Sequence, residues 1–224
     1  MKFRALLVAA ALAASACQGP AIAAEKVVDA PAAERVARES SGLKTAIFAG
    51  GCFWGVEGVF SHTRGVTSAV SGYHGGTSAD ATYDRVSRGG TGHREAVRVV
   101  YDPSVIRYDQ LLQIFFSVIA DPTLKNRQGP DRGSQYDAAL VPLNREQRSV
   151  AAAYLAQMQR SGKWDAPIVT GIVAARTFYP AEEYHQDFMK KNPNNPYIKA
   201  WDAPKVEALQ RLYPGLYRAS FQAG

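Results

Sequence analysis

The sequence predicts one α+β domain: a mixed or antiparallel sheet with helices packed on it. Three observations predict it. Strand-like and helix-like stretches alternate, with some strands in direct succession. They lie between Lys44 and about Tyr217, with no internal repeat and no linker composition to divide them. The chain has 224 residues, 46% hydrophobic and 21% charged, which is enough for one sizeable core and ordinary for a globular protein.

The elements follow in order. Thr45 to Ala49 is an apolar run that reads as a buried strand. Phe53, Val56, Val59 and Phe60 then share one face of a short helix. Val66 to Ser71 alternates weakly, as a strand does, and Gly72 to Ala81 is a Gly, Ser and Thr loop. Ala96 to Tyr101 is a strong strand stopped by Asp102-Pro103. Tyr108 to Ile119 places Leu111, Leu112, Phe115 and Val118 at helical spacing. Asp121 to Ser134 holds two prolines and two glycines; a loop that long in a compact domain tends to be functional. Ala138 to Val141 is a short strand. Asn144 with Gln147 forms a capping-box pattern for a helix reaching Arg160. Ile168 to Ala174 predicts another strand. Pro180-Ala181-Glu182-Glu183 predicts a helix start, with Pro and acids in its first turn. Asn192 to Pro196 breaks that helix, and Lys205 to Leu212 predicts a last short one.

The N-terminus has its own character. Lys2 and Arg4 precede an apolar run, Ala5 to Ala16, too short to span a bilayer, and Ala21-Ile22-Ala23 supplies small residues. Residues 1–23 therefore read as a secretory signal peptide, predicting export to the periplasm. Two processing routes fit. Cleavage after Ala23 leaves a soluble protein. Ala14-Ser15-Ala16-Cys17 also resembles a lipoprotein cleavage box, which would leave a lipidated Cys17 and a membrane anchor. Ala14 stands where such boxes usually carry Leu, which favours simple secretion. Residues 24–43 have little large apolar content and are expected to be a mobile linker, with a transient helix over Ala32–Glu39. The folded domain is expected over 44–218.

The formal net charge is +6, and loss of the leader removes Lys2 and Arg4 but no acid. Basic residues are interspersed with acids, so no stripe suits a phosphate backbone, and nucleic-acid binding is excluded. Cys17 and Cys52 are the whole cysteine complement. After cleavage at Ala23 an exported protein would carry one thiol, which is either buried or working. Gly50 and Gly51 place Cys52 at a strand-to-helix turn, where unpaired N–H groups favour an anion. That position predicts a reactive thiolate. Its competitor is an inert core cysteine.

Gly51-Cys52-Phe53-Trp54-Gly55-Val56-Glu57 resembles the signature of the methionine sulfoxide reductase A family. The resemblance continues in order through Gly72-Tyr73-His74-Gly75-Gly76, Thr82-Tyr83, Thr91-Gly92-His93-Arg94-Glu95, Asn126-Arg127-Gln128-Gly129-Pro130-Asp131, Gln135-Tyr136 and Tyr179-Pro180-Ala181-Glu182-Glu183-Tyr184-His185-Gln186. It covers about Lys44 to Tyr217. It implies a ferredoxin-like two-layer core with long loop decorations, and an enzyme that reduces methionine S-sulfoxide, free or in oxidised proteins, without cofactor or metal.

That reaction needs a nucleophile for sulfur, an acid for the departing oxygen and an apolar seat for the methyl group. The resemblance assigns Cys52 as nucleophile, forming a sulfenic acid. It assigns Glu95 as proton donor, a role that needs its pKa raised by burial. Tyr83 and Tyr136 would hold the sulfoxide oxygen and Asp131 would orient that network. Phe53 and Trp54 would cage the methyl, with Gly51 and His185 also at the substrate. Glu57 is a competing carboxylate. His62, His74, His93 and His185 show no metal-ligand spacing.

Many family members carry resolving cysteines near the C-terminus; Leu209 to Gly224 has none, and Ser87 stands where many have Cys. Ala120 and Asp137 also replace a common His and Arg. The missing thiols predict that an external reductant, thioredoxin-like or glutaredoxin-like, or a small thiol, reduces the sulfenic acid through a mixed disulfide with Cys52. A monomer is expected. Two other readings compete: a Cys–His hydrolase or acyltransferase using Cys52 with His185, and a non-catalytic peptide-binding module using Phe53 and Trp54.

Overall fold

A computed structural model describes residues 26–224. The predicted signal peptide, with both of its processing routes, lies outside the described residues. Among those described, no helix is long and apolar enough to cross a membrane.

The core is a six-stranded sheet. Its central strands are β1 (Lys44–Ala49), β2 (Val66–His74) and β3 (Arg94–Tyr101), crossed by helices α1 (Phe53–Ser61), α2 (Tyr83–Val86) and α3 (Tyr108–Ile114). A small hairpin, β4 (Arg127–Gln128) with β5 (Asp131–Arg132), precedes β6 (Ala139–Val141). Then come α4 (Arg145–Arg160), β7 (Gly171–Ile172), β8 (Phe178–Pro180), α5 (Phe188–Lys191) and α6 (Ala203–Leu212). The strand order is β7-β6-β1-β3-β2-β8. β3 lies between β1 and β2, antiparallel to both, and β6 is antiparallel to β1. This is the split βαβ arrangement of the ferredoxin-like core. β8 extends one edge antiparallel, and β7 extends the other parallel to β6, which makes the sheet mixed.

Strand alternation divides the interior. Ala46 and Phe48 of β1, with Val97, Val99 and Tyr101 of β3, face the helices and join the main core. Ile47, Ala49 and Ala96 face the other way and form a smaller cluster with Val141, partly covered by Val173 and Phe178. Glu95 shares the parity of Val97, so the pleat aims it at the helix layer, where α1 begins.

The predicted elements differ from the observed ones in several places. β2 runs on through His74, into the predicted loop, because Gly72, Tyr73 and His74 pair with both β3 and β8, and the strand predicted over Ile168 to Ala174 shrinks to the two residues of β7. Residues 26–43 form no regular element and no helix over 32–39, but they are not loose. Val28, Ala30 and Ala37 are buried. Ser117 and Asp109 accept from the Ala30 and Ala37 N–H groups, and the Glu39 carboxylate accepts from the Tyr101 hydroxyl and the Tyr108 N–H. Small residues fit closely against α3 and α4, whose polar side chains satisfy the backbone, so low apolar content is not a sign of mobility here. Tyr108 to Ile119 becomes α3 followed by a π turn, Phe115–Ile119. The helix predicted from Pro180 is instead the end of β8, a 3-10 turn (Glu183–His185) and the short α5. The side chains that would have started the helix serve tertiary contacts: Glu182 accepts from Tyr73 and Tyr83, and Gln186 pairs with both backbone groups of Ser71.

Candidate active site

Two glycines let β1 run directly into α1. A Cβ on Gly50 would lie 2.6 Å from the Phe115 ring. Gly51 has φ +91, and a Cβ there would lie 2.6 Å from Gln128 Cβ. Its role is conformational; it does not line the cavity described below. Gly51→Ala is expected to lower stability by about 1–3 kcal/mol through strain and overpacking, read as a lower thermal unfolding midpoint. An unchanged midpoint would contradict this close approach.

Cys52 follows, 8% exposed, immediately before α1. The first N–H of α1, on Phe53, donates to Glu95 Oε2 at 2.9 Å. That bond brings the donor candidate on β3 against the nucleophile candidate just before α1. A cavity of about 200 Å³ opens there, lined by Cys52, Phe53, Trp54, Tyr83, Glu95, Asp131, Tyr136 and Tyr197. All five predicted catalytic residues converge on it from separate parts of the chain. A larger cavity, about 340 Å³, lies between Lys26 and α6, but no thiol or phenol lines it, so it offers no comparable chemistry.

Second contacts fix these groups. Tyr83 begins α2, where its N–H donates to Glu182 Oε1 while the Tyr73 hydroxyl donates to Oε2. Tyr197 donates its hydroxyl to Asp131 Oδ2. Trp54 stacks on Phe188 with centroids 3.8 Å apart, and its indole N–H donates to His185 Nδ1 at 3.1 Å. Asp137, one of the departures from the family pattern, is buried and accepts from Lys125 Nζ and the Asn126 N–H, which pins the loop ahead of Asp131.

His185 therefore stands behind Trp54 and does not line the cavity, contrary to its expected place at the substrate. Burial lowers its pKa, so the neutral ring accepts the indole proton. Glu57 is buried on α1 away from the cavity, near Ser71 and Asp187, and burial raises its pKa to about 8. The other histidines hold loops together: His93 joins Gly76 to Thr77, His74 accepts from the Arg176 N–H, and His62 meets the Arg218 carbonyl. Among the described residues, no group of three or more His, Cys, Asp or Glu is placed to hold a metal.

The electrostatics correct one expectation. Burial pushes the Cys52 thiol well up, and Asp202, Glu95 and Asp131 push it further when they are ionised. The Trp54 N–H pulls the other way and loses. At neutral pH the resting group is the thiol, not the thiolate that the helix start alone implied. Burial also raises Glu95 to about 8, with Asp131 and Asp202 adding to it against the Phe53 N–H. Glu95 thus carries its proton at neutral pH. Burial raises Tyr83, Tyr136 and Tyr197, which remain donors. The site is a pocket of held protons around one sulfur, walled by aromatic rings.

Sequence reasoning missed Tyr197, Asp202 and Lys205. Tyr197 lies just past Pro196, in a stretch that reads only as a helix break. Asp202 belongs to no motif and Lys205 marks only the start of the last predicted helix, yet both are buried.

The family model for peptide methionine sulfoxide reductase matches residues 44–214. Peptide methionine sulfoxide reductase MsrA 2 of Mesorhizobium japonicum is 52% identical over 180 residues, 80% of this chain and 92% of the relative. The MsrA 2 of Synechocystis is 47% identical over 184 residues, 82% and 86% of the two chains. Reduced Mxr1 from Saccharomyces cerevisiae superposes with a TM-score of 0.63 at 32% identity, covering 72% of this chain and 92% of the other. Methionine sulfoxide reductase A of Corynebacterium diphtheriae gives 0.57 at 30% identity, covering 78% and 92%. On its sequence, its fold and the residues gathered around Cys52, this chain belongs to the peptide methionine sulfoxide reductase family.

Proposed function

We propose that this chain reduces methionine S-sulfoxide, free or within oxidised proteins, with Cys52 as nucleophile and Glu95 as acid. The observation that carries the reading is the convergence of a thiol, a protonated carboxyl and three phenols on one aromatic-walled cavity. The substrate methyl fits against Phe53 and Trp54, where sulfur–aromatic contact is favourable. The sulfoxide oxygen is placed toward the hydroxyls of Tyr83 and Tyr136 and the Glu95 carboxyl. Tyr197 and Asp131, joined to each other, orient that network.

Glu95 protonates the oxygen, which weakens the S=O bond and makes the sulfur electrophilic. Cys52 gives up its proton, attacks that sulfur and receives the oxygen. Methionine leaves, Cys52 becomes a sulfenic acid, and the thiol proton restores Glu95. One oxygen has moved from substrate sulfur to enzyme sulfur, with no net gain or loss of protons.

Exposure to methionine S-sulfoxide without reductant, followed by dimedone, should label Cys52, while the R epimer should not. Absence of the adduct, or equal labelling by both epimers, overturns the reading. The hydrolase alternative loses its support from position: His185 Nδ1 is held by Trp54, and the ring does not line the cavity.

Recycling follows from the cysteine count. With Cys52 the one thiol of a chain cleaved after Ala23, a thioredoxin-like or glutaredoxin-like protein, or a small thiol, reduces the sulfenic acid through a mixed disulfide. Export to the periplasm rests on Lys2, Arg4 and the apolar run after them. The same chain supplies every group of the cavity, so a monomer suffices. Mass spectrometry of the mature N-terminus tests the export reading; Ala24 is expected first, and a lipidated Cys17 would make the protein membrane-anchored.

A further inference from the structure

The register of β2 on β3 sends two neighbouring residue pairs to opposite faces of the sheet. Tyr73 pairs with Glu95, and His74 pairs with Arg94. Glu95 faces the helix layer and the Cys52 cavity, so Arg94 and His74 face the other way. On that face the end of β2, the start of β3 and the link from β7 to β8 enclose a further cavity of about 260 Å³. His74, Gly75, Gly92, Arg94 and Arg176 wall it, and among the described residues no carboxylate lines it.

Two guanidinium groups converge on Gly75. Arg176 Nη1 donates to the Gly75 carbonyl over a long 3.4 Å, and a Cβ on Gly75 would lie 4.0 Å from Arg94 Nη1. The same Cβ would lie 2.7 Å from the Gly92 carbonyl oxygen, and Gly75 has φ +114, so only glycine fits here. A guanidinium stays charged throughout the pH range of a folded protein, so two positive charges share one small space. His74 does not balance them. Its Nε2 accepts from the Arg176 N–H at 2.9 Å, which requires a neutral ring; burial, then Arg94, His93 and Arg176, lower its pKa. Arg94 is also incompletely satisfied. Its Nε is buried and has no hydrogen-bond partner among the described residues. Its ion pair with Asp137 is long, with Nη2 3.8 Å from Oδ2, and that carboxylate already accepts from Lys125 and the Asn126 N–H. A buried charged donor without an acceptor is costly, and a bound ion is one way such a group is satisfied.

We propose that this cavity binds a phosphate-type oxyanion, free or carried on a small ester, between Arg94 and Arg176. Each guanidinium presents a fork of donors that matches phosphate oxygens. Two forks carry two charges, which a phosphate dianion balances and a single carboxylate does not. The cavity exceeds the volume of a bare phosphate, and the organic part of an ester has Val173 and Ala174 to lie against. The sulfoxide chemistry uses none of these groups. Arg94 precedes Glu95 in the chain, but the pleat separates them by the thickness of the sheet.

The test is an NMR titration of the ¹⁵N-labelled chain cleaved after Ala23, with inorganic phosphate, at neutral pH and at an ionic strength held constant with sodium chloride. The amides of Gly75 and Gly92 and the Arg94 Nε–H should shift together and saturate. Glycerol phosphate is the second ligand. Saturation by it assigns the phosphate of an ester, and saturation by inorganic phosphate alone assigns the free ion. Arg176→Gln should raise the dissociation constant at least about tenfold, through loss of one charged hydrogen-bond partner. Arg98→Gln should leave it unchanged, because Arg98 lies on the same face of β3 but over the Phe178 ring and off the cavity. Saturation by neither ligand, shifts that chloride alone reproduces, or wild-type affinity in Arg176→Gln overturns the proposal. An equal loss in Arg98→Gln also overturns it, since that would mark a positive surface without a site. Should Arg176→Gln not fold, Arg94→Gln gives the same comparison. Cys52 takes no part in this binding, so neither result bears on the reaction, which the dimedone experiment judges.

Discussion

Cys52→Ser is expected to reduce methionine sulfoxide turnover by at least about 10⁴-fold, the scale seen when a nucleophile is removed from an otherwise intact site. The substitution is nearly isosteric at a buried position, so the cavity and the Glu95–Phe53 bond should survive. What disappears is the atom that attacks sulfur and then carries the oxygen; a serine hydroxyl is a weak nucleophile and cannot become a sulfenic acid. The companion measurement is the amount of methionine released without reductant. A chain cleaved after Ala23 has no second thiol to resolve the sulfenic acid, so wild type should release about one methionine per chain and stop. Cys52→Ser should release none. A second equivalent from wild type would mean that some other group resolves Cys52, and release from the variant would remove Cys52 from the chemistry.

The sequence carried the parts of this molecule whose causes are local. β1 and β3 were readable because buried strands are apolar and end at Gly or Asp-Pro. The start of α4 was readable because Asn144 caps it by accepting from the Gln147 N–H, a contact between residues three apart. The cavity residues were named through a family resemblance, and the fold then brought Cys52, Tyr83, Glu95, Asp131 and Tyr136 together. The misses share one cause: a distant partner. Pro180-Ala181-Glu182-Glu183 has the local form of a helix start, but Glu182 is taken by Tyr73 and Tyr83, about a hundred residues earlier in the chain. Residues 26–43 look unstructured until α3 and α4 supply their hydrogen bonds. The charge state of Cys52 was misjudged because a helix start was visible in the sequence, while the burial, which outweighs it, and the approach of Asp202 were not.

Glu95→Gln is expected to slow oxygen transfer by about 10²–10⁴-fold, the usual share of a general acid, and to change the shape of the pH profile as well as its height. At neutral pH the carboxyl is already uncharged, so Gln replaces a neutral group and its carbonyl can still accept from the Phe53 N–H. The loss is therefore of a transferable proton rather than of structure. With the acid's pKa raised from 4.5 to about 8, the protonated donor persists through neutrality and disappears as pH climbs past that value. Wild-type single-turnover rates should hold up to about pH 8 and then decline, about tenfold per pH unit, and the variant should lack that limb. The same shift bears on stability. The folded chain binds this proton more tightly than the unfolded chain, so as pH rises from 4.5 to about 8 the unfolded chain ionises first and gains on the fold, and Glu57, also at about 8, adds in the same direction. Glu95→Gln should consequently flatten part of the fall in unfolding midpoint across that window. A variant that turns over like wild type, with its alkaline limb intact, would place the proton donor elsewhere, and the remaining candidates on the cavity wall would be the phenols of Tyr83 and Tyr136.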